Sequence, residues 1–595
     1  MLKKFFMNAL SSFVGAWVAI LLLGAVVTIV VLGIAGSMVT GSETVSVKSR
    51  SVLELKLEGA IMERETADAP NPMQLMQGDF EQPQSLDAIV EALKIAAENK
   101  NIAALYLNCG AVSASPATLN AIREALLEFK KSGKKIYAYG DALFTGSYFV
   151  ASVADRIYLN PAGELSMRGL GSTSLYFKNL LDKLGVTFQV VKVGSFKSAV
   201  EPYIMDEMSQ PARAQLDTMF NNMWGFIREK ISESRKGVTP ALIDSLVSLR
   251  NITFAPASLA VESGLVDSLL YGREINDRLA QLVGVEKEKL NKVSPSILLG
   301  QTPWASSYTS KNQVAVLYAC GDIADGNDKQ INFEKLVPVI VRLAENENVK
   351  GMVLRVNSPG GSVFGSDQIG EALDYFMKKG KPLAVSMGDY AASGGYWISC
   401  CADKIFADPM TVTGSIGIYG LIPEFAGTLS KIGVSPQTVS TNPSADFPSG
   451  MKPMDERQLR VMQQYVDRGY DKFVSRVAKG RKMSKERVKA IAEGRVWDGI
   501  MARRIGLIDS LGGLDKAVDW TAGKAGISDR YEVAAYPQVE PNFWTIVAKQ
   551  GGFGASLISS GLKDNFEVLA EAYVRRILAR ERLQARMPEI SVTFD

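Results

Sequence analysis

Apolar positions follow two rhythms along this chain. Short runs such as IAALYLN (102–108), KIYAYG (135–140), GMVLRVN (351–357) and PLAVSMG (382–388) are apolar with little alternation, which predicts strands covered on both faces. Between them, LNAIREALLEFKKSG (119–133) and SDQIGEALDYFMKKG (366–380) place apolar residues at helical spacing and end in basic residues and glycine, which predicts amphipathic helices with ordinary stops. Strand–helix–strand order of this kind predicts parallel α/β units. Ahead of them all, residues 13–38 form an apolar run without a charge. A helix of about 20 apolar residues spans a hydrocarbon layer, whereas the apolar core of a cleavable signal peptide is about 7–15 residues long. The expectation is therefore one uncleaved transmembrane anchor, 13–38. Lys3 and Lys4 place the N-terminal residues 1–12 in the cytoplasm and the remainder on the other side of the membrane.

The pattern then repeats. Gly140 matches Gly388, Tyr148 matches Tyr396, Asp155 matches Asp403, Pro161 matches Pro409 and Gly169 matches Gly417, all at an offset of 248 residues. DKLGV (182–186) falls on SKIGV (430–434) at the same offset. Internal self-similarity of this length predicts two α/β domains, 46–290 and 312–540. A Pro/Ser/Thr-rich linker is expected over 291–311, a surface loop over 66–83, and a charged helical extension over 541–595.

Composition removes function classes rather than adding them. With 47% apolar and 22% charged residues the chain is that of a folded protein, and a net charge of +3 makes no case for a nucleic-acid partner. Four cysteines in 595 residues form neither a disulfide framework nor a C-x-x-C site, and Cys400 and Cys401 read as small hydrophobes of a helical run. Histidine is absent. That excludes Ser-His-Asp and Cys-His catalysis and the histidine-based zinc sites, so no metal and no cofactor is expected.

A hydrolase of this composition needs another base. In LAVSMGDYAASGGYWIS a strand runs into a small-residue turn carrying Ser393 and then into a helix, a near relative of the G-x-S-x-G nucleophile elbow. The Gly394 N–H, at the start of that helix, is a candidate oxyanion donor. VNSPGGS (356–362) also follows a strand, and its Gly361 is the second candidate. Taken singly, each is an ordinary tight turn. The base must be Lys, Asp, Glu or an α-amine, and the repeat suggests which. The position matching Ser393 is Thr145, and the SPGG turn is replaced by CGAVS, whereas the first half carries Lys197 in VVKVGSFKSAVEPY where the second has Ala445. A lone loop lysine is ordinarily solvated and inert. Complementary retention of Ser in one half and Lys in the other singles this one out. Neutral Lys197 would take the proton of Ser393, and Ser415 in TGSIGI is the candidate to orient it.

With MGDYAASGGYWIS, VNSPGGSV, TGSIGIYG and GSFKSAVEP in this order, the chain resembles the signal peptide peptidase A family (protease IV, peptidase family S49) in its long, duplicated form. The resemblance covers essentially the whole chain. It implies tandem ClpP/crotonase-like α/β domains, a membrane-anchored homotetramer, Ser393 as nucleophile, Lys197 as base and Ser415 as auxiliary residue. It also implies digestion of remnant signal peptides and other apolar peptides outside the bacterial cytoplasmic membrane. Two other classes fit parts of the pattern: an inactive membrane scaffold of the same fold and a crotonase-type acyl-CoA enzyme. The first should have lost Ser or Lys, and the second has no use for the anchor or the serine elbow.

Overall fold

The computed structural model describes residues 47–64, 84–249, 252–253, 255–300, 310–324, 330–442, 444–538 and 583–587. The expected anchor at 13–38 and loop at 66–83 lie outside these residues. Among the described residues, no helix is long and apolar enough to cross a membrane.

Two α/β sheets form the body. The first runs in the order Ser51–Met62, Ile102–Ser113, Lys135–Phe144, Arg156–Ser166, Ser268–Leu269, all parallel. The second runs Glu532–Tyr536, Gln313–Cys320, Val349–Ser358, Leu383–Ala392, also parallel, and continues through Val412–Gly414 to an antiparallel edge strand, Val496–Asp498. Val353, Leu354, Ala384 and Val385 have no accessible surface, as strands covered on both faces require.

The duplication is legible in individual hydrogen bonds. Tyr148 donates its hydroxyl to the Leu265 carbonyl, and its counterpart Tyr396 donates to the Leu507 carbonyl. Asp155 accepts from the Ile136 amide and Asp403 from the Leu383 amide. Asp267 and Asp509 accept in the same way from Ile157 and Ile405. Each carboxylate pins the start of a strand, so the two halves share a frame even where their chemistry differs.

The segment between the halves has more structure than its composition suggests. Lys292–Val293 pairs with the strand Ser51–Met62, and the helix Pro295–Leu299 follows, with Val293 and Leu298 buried. Two buried apolar side chains are enough to dock a stretch whose Ser and Pro residues read as linker. Most of the expected helical extension lies outside the described residues; its described part, Leu583–Arg586, is a strand.

That strand belongs to a third sheet, ordered Gly360–Ser362, Leu583–Arg586, Ile418–Glu424, Thr187–Val193, and antiparallel throughout. It draws strands from both halves. Ile418 faces Val193 and Glu424 faces Thr187, which ties the chain leading to Lys197 to the chain following Ser415. Polar contacts strengthen the junction. Thr118 donates to Asp389 from both its amide and its hydroxyl, at 2.9 Å each, and Asn120 donates to Asp408 at 2.7 Å.

Burial pushes the Asp408 carboxyl up to about 7, against the lowering effect of its bonds from Asn120 and Met410. The folded protein therefore holds a proton that the unfolded chain releases near pH 4. This contribution to stability is complete at acid pH and is lost as pH rises through 7, at about 1.4 kcal/mol per pH unit at most. Asp408→Asn should remove that loss. Melting temperatures of the two proteins should converge below about pH 4 and separate progressively in favour of the variant up to pH 8; parallel curves would show that the carboxyl is ionised throughout.

Candidate active site

Ser393 sits where the strand Leu383–Ala392 turns into the helix Gly394–Ser399. Its backbone has φ 56° and ψ −113°, a conformation that costs an L-residue roughly 1–3 kcal/mol. The turn is held by Ser393 N–H donating to the Gly414 carbonyl and by Trp397 N–H donating to the Ser393 carbonyl, both at 2.8 Å. Small residues are required around it. A Cβ on Gly395 would stand 2.7 Å from the Ser358 carbonyl oxygen, and one on Gly394 would stand 2.6 Å from Ser366 Oγ. In the first half the elbow is gone: Thr145 is simply the first residue of a helix and its hydroxyl accepts from the Arg168 amide.

Lys197 follows the strand Thr187–Val193 and precedes a single 3-10 turn, Ser198–Val200. The cross-half sheet brings it to the elbow. Its Nζ lies 2.8 Å from Ser393 Oγ, 3.1 Å from Ser415 Oγ and 3.1 Å from the Ser415 carbonyl oxygen. Lys197, Ser393 and Ser415 all have no accessible surface. Burial holds the Lys197 amine well below the ordinary lysine range. A neutral amine has two N–H donors and one lone pair. The two Ser415 oxygens take the donors and leave the lone pair for the Ser393 hydroxyl. The Ser415 hydroxyl in turn lies 3.3 Å from the Gly494 carbonyl, which it can donate to while accepting from the lysine.

Gly361 and Gly394 are neighbours in space. A Cβ on Gly394 would lie 3.1 Å from Gly361 N, and one on Gly361, at φ 152°, would lie 2.1 Å from the Ile323 carbonyl oxygen. All five residues singled out from sequence thus gather at one place.

Sequence reasoning overlooked the segment that braces the lysine. Glu493 accepts from the Ser195 amide and hydroxyl at 3.1 and 3.0 Å, and its carbonyl accepts from the Phe196 amide. A Cβ on Gly494 would stand 2.7 Å from Lys197 Cβ, and Arg495 covers the Phe196 ring at 5.0 Å. Buried Gln215 reaches the Phe196 carbonyl and the Ser198 hydroxyl with its amide and accepts from the Val496 amide. Glycine in AEGRVWDG was the available signal.

Comparison with known proteins decides the family. The model of peptidase family S49 matches residues 128–286 and again 375–528. The chain belongs to peptidase family S49. Protease 4 of Haemophilus influenzae is 35% identical over 492 residues, covering 80% of this chain and 80% of that protein. Protease 4 of Salmonella typhi is 37% identical, covering 78% and 76%. A candidate signal peptide peptidase, SppA, of Enterococcus faecium is 36% identical over 216 residues, 35% of this chain and 63% of its own. This S49 member is a serine peptidase.

The buried amine makes a stability prediction of its own. The folded state binds fewer protons than the unfolded chain between the lowered lysine value and about 10.4, so wild-type stability should rise with pH across that window. Lys197→Met should melt higher than wild type at pH 7, by roughly 2–4 °C for each kcal/mol recovered, with the gap narrowing towards pH 10. A variant less stable than wild type at pH 7 would mean that the amine is charged and compensated.

Proposed function

We propose that this S49 peptidase works through a Ser/Lys dyad divided between its halves, with Ser393 as nucleophile and Lys197 as general base. The observation that carries the reading is the 2.8 Å contact between Lys197 Nζ and Ser393 Oγ in a buried setting with no carboxylate partner among the described residues. The neutral amine takes the hydroxyl proton as Oγ attacks a peptide carbonyl, and later delivers it to the leaving amine. Ser415 orients the amine. The N–H groups of Gly361 and Gly394 receive the developing oxyanion, where one donor contributes about 2.7–4 kcal/mol of barrier lowering in comparable hydrolases. No metal or cofactor takes part in this scheme. An inactive scaffold would have no reason to keep a buried lysine against a strained serine, and an acyl-CoA reading makes no use of either.

In this reading each half is a ClpP/crotonase-like domain, the chain assembles as a homotetramer, and residues 13–38 anchor it in the cytoplasmic membrane with both domains outside. Its substrates are apolar peptides, foremost remnant signal peptides. The order of motifs and the name of the Enterococcus faecium relative support the substrate class; the apolar run at 13–38 supports the anchor.

Hydrolysis of an apolar fluorogenic peptide against pH tests the dyad. Ser393→Ala should be inactive and Lys197→Ala should lose at least about 10³-fold. Ser415→Ala should lose about 10-fold, and Thr145→Ala should be unchanged. The wild-type rate should rise with pH through a limb well below the ordinary lysine range. Full activity in Lys197→Ala would leave the nucleophile standing and remove the base. For the substrate class, membranes holding Ser393→Ala should accumulate signal-peptide remnants; equal clearance by both proteins would overturn that part.

A further inference from the structure

A single polar side chain interrupts the buried face of the helix Gln210–Ser234. That face carries Met219, Met223, Ile227 and Ile231, and Gln215, one turn ahead of Met219, is only 2% exposed. The corresponding helix of the second half, Glu456–Arg481, buries Met462, Val466, Tyr470 and Val474 with the same four-residue step. One constant offset sets Gln215 against Met462, Met219 against Val466, Met223 against Tyr470 and Ile227 against Val474. Packing at this place is therefore served by an apolar residue. A buried amide is unfavourable there unless its donors and its acceptor find partners.

The partners of Gln215 lie on both sides of the junction between the halves. Its amide nitrogen donates to the Phe196 carbonyl at 3.4 Å and to the Ser198 hydroxyl at 3.3 Å, the residues immediately before and after Lys197. Its carbonyl oxygen accepts from the Val496 amide at 3.2 Å. Val496 stands opposite Gly414 in the edge ladder, and the Gly414 carbonyl takes the N–H of strained Ser393. The carbonyl of the preceding Arg495 takes the Ser415 N–H at 2.7 Å. One side chain thus holds both shoulders of the lysine against the strand that fixes the nucleophile and Ser415. The lysine loop needs such a hold. Lys197 has φ −76° and ψ 76°, beyond the end of the strand Thr187–Val193 and ahead of a 3-10 turn of only three residues, so no helix or sheet ladder sets where its side chain starts.

We propose that Gln215 is a positioning residue for the peptidase reaction, setting the place from which Lys197 reaches Ser393 and Ser415 and keeping water out of that junction. This rests on the Ser/Lys reading above. Gln215 touches no reacting atom and acts through the backbone on either side of the base. Without its amide the lysine loop loses its tie to the second half, the Nζ–Oγ contact lengthens and water reaches the amine. A misplacement on the order of 1 Å costs about 10²-fold in rate. Hydration returns a buried amine towards its ordinary range, since burial is what depresses Lys197. The other titratable groups packed around the loop are Glu493 and Arg495 of the brace, Tyr470 beside Glu493, Glu201 bonded to Ser209, and Asp498 bonded to Asn222. Substitution at Gln215 leaves all five in place, so a displaced pH limb reports the lysine.

The pH profile of peptide hydrolysis by the full-length chain in mild detergent tests this, with melting measured on the same samples. Gln215→Met, the second half's own solution, should lower kcat at pH 7 by about 10–100-fold with KM within about twofold. Its rate limb should move up by about one pH unit, while it melts no lower than wild type. The losses in Gln215→Met and Ser415→Ala should multiply to more than the loss in the double variant, because both act on the placing of one amine. Gln215→Asn keeps an amide too short to span from Phe196 to Val496; its limb should move the same way, and it serves if Gln215→Met does not fold. A limb that stays at the wild-type pH in a folded variant overturns the proposal, whatever happens to kcat. Failure of both variants to fold overturns it too, since the fold itself would then require the amide. Lys197→Ala separates the two readings. Full activity there brings down the dyad, whereas an inactive Lys197→Ala beside a wild-type profile in Gln215→Met leaves the dyad standing and removes Gln215 from it.

Discussion

A lysine amine buried without a counter-charge is the constraint on which the rest depends. An ammonium taken out of water costs several kcal/mol unless it is paired, and the group escapes that cost by staying neutral. Among the described residues Lys197 Nζ meets neutral oxygens: the Ser393 hydroxyl and the hydroxyl and carbonyl of Ser415. A carboxylate at this place would restore the charge and remove the neutral amine on which the proposed base role depends. The dryness that keeps the amine neutral draws on walls from both halves: its own half supplies the loop after Thr187–Val193 and buried Gln215 beside it. The seven-pair ladder from Ile418–Val193 to Glu424–Thr187 and the Glu493–Gly494 brace are the means by which the second half closes around it.

Duplication explains how such a site can be shared. The paired tyrosine and aspartate bonds keep one frame in both halves. Relaxation has been confined to the strained positions. The second half holds Ser393 at φ 56° and Ser415 at φ 51°, while the matching Thr145 has returned to an ordinary helical backbone. Strain persists where surrounding contacts over-determine it, and here Gly414, Gly394 and Gly395 supply those contacts. Once a half no longer carries the nucleophile, nothing opposes the release of its strain.

Much of this was legible before any coordinates. Apolar runs bounded by glycine and basic residues marked the parallel strands and helices, because strands covered on both faces and helices covered on one leave different rhythms. Complementary retention marked Lys197 and Ser393, because a repeat allows each position to be compared with its own copy. Long-range pairing was not legible. No local pattern says that Thr187–Val193 leaves its own half's sheet to pair with Ile418–Glu424, since an edge strand's partner is a property of the assembled fold. Gln215 and Glu493 were missed for the same reason: each looks like a surface residue until the partner backbone it satisfies is in place. Leu583–Arg586 was hidden by the charged, helix-patterned sequence around it, and its strand conformation is imposed by the two edges it joins.

Those edges bear on how a peptidase of this kind can be broad and yet not indiscriminate. Under the proposed dyad, backbone pairing along Gly360–Ser362 and Ile418–Glu424 would hold an extended chain without reading its sequence, and would exclude folded proteins by shape. Discrimination is left to positions where a side chain must enter the protein. The glycine pair illustrates the limit: a Cβ on Gly361 would stand 2.1 Å from the Ile323 carbonyl oxygen, so the turn is packed closely and would not retreat to admit more bulk without moving the N–H groups proposed as oxyanion donors. In the proposed mechanism, the geometry that would stabilise an oxyanion and the geometry that would restrict the neighbouring side chain are therefore one feature of the fold. Widening the groove there would trade rate for breadth, because backbone donors placed by a rigid turn lose their effect when the turn yields.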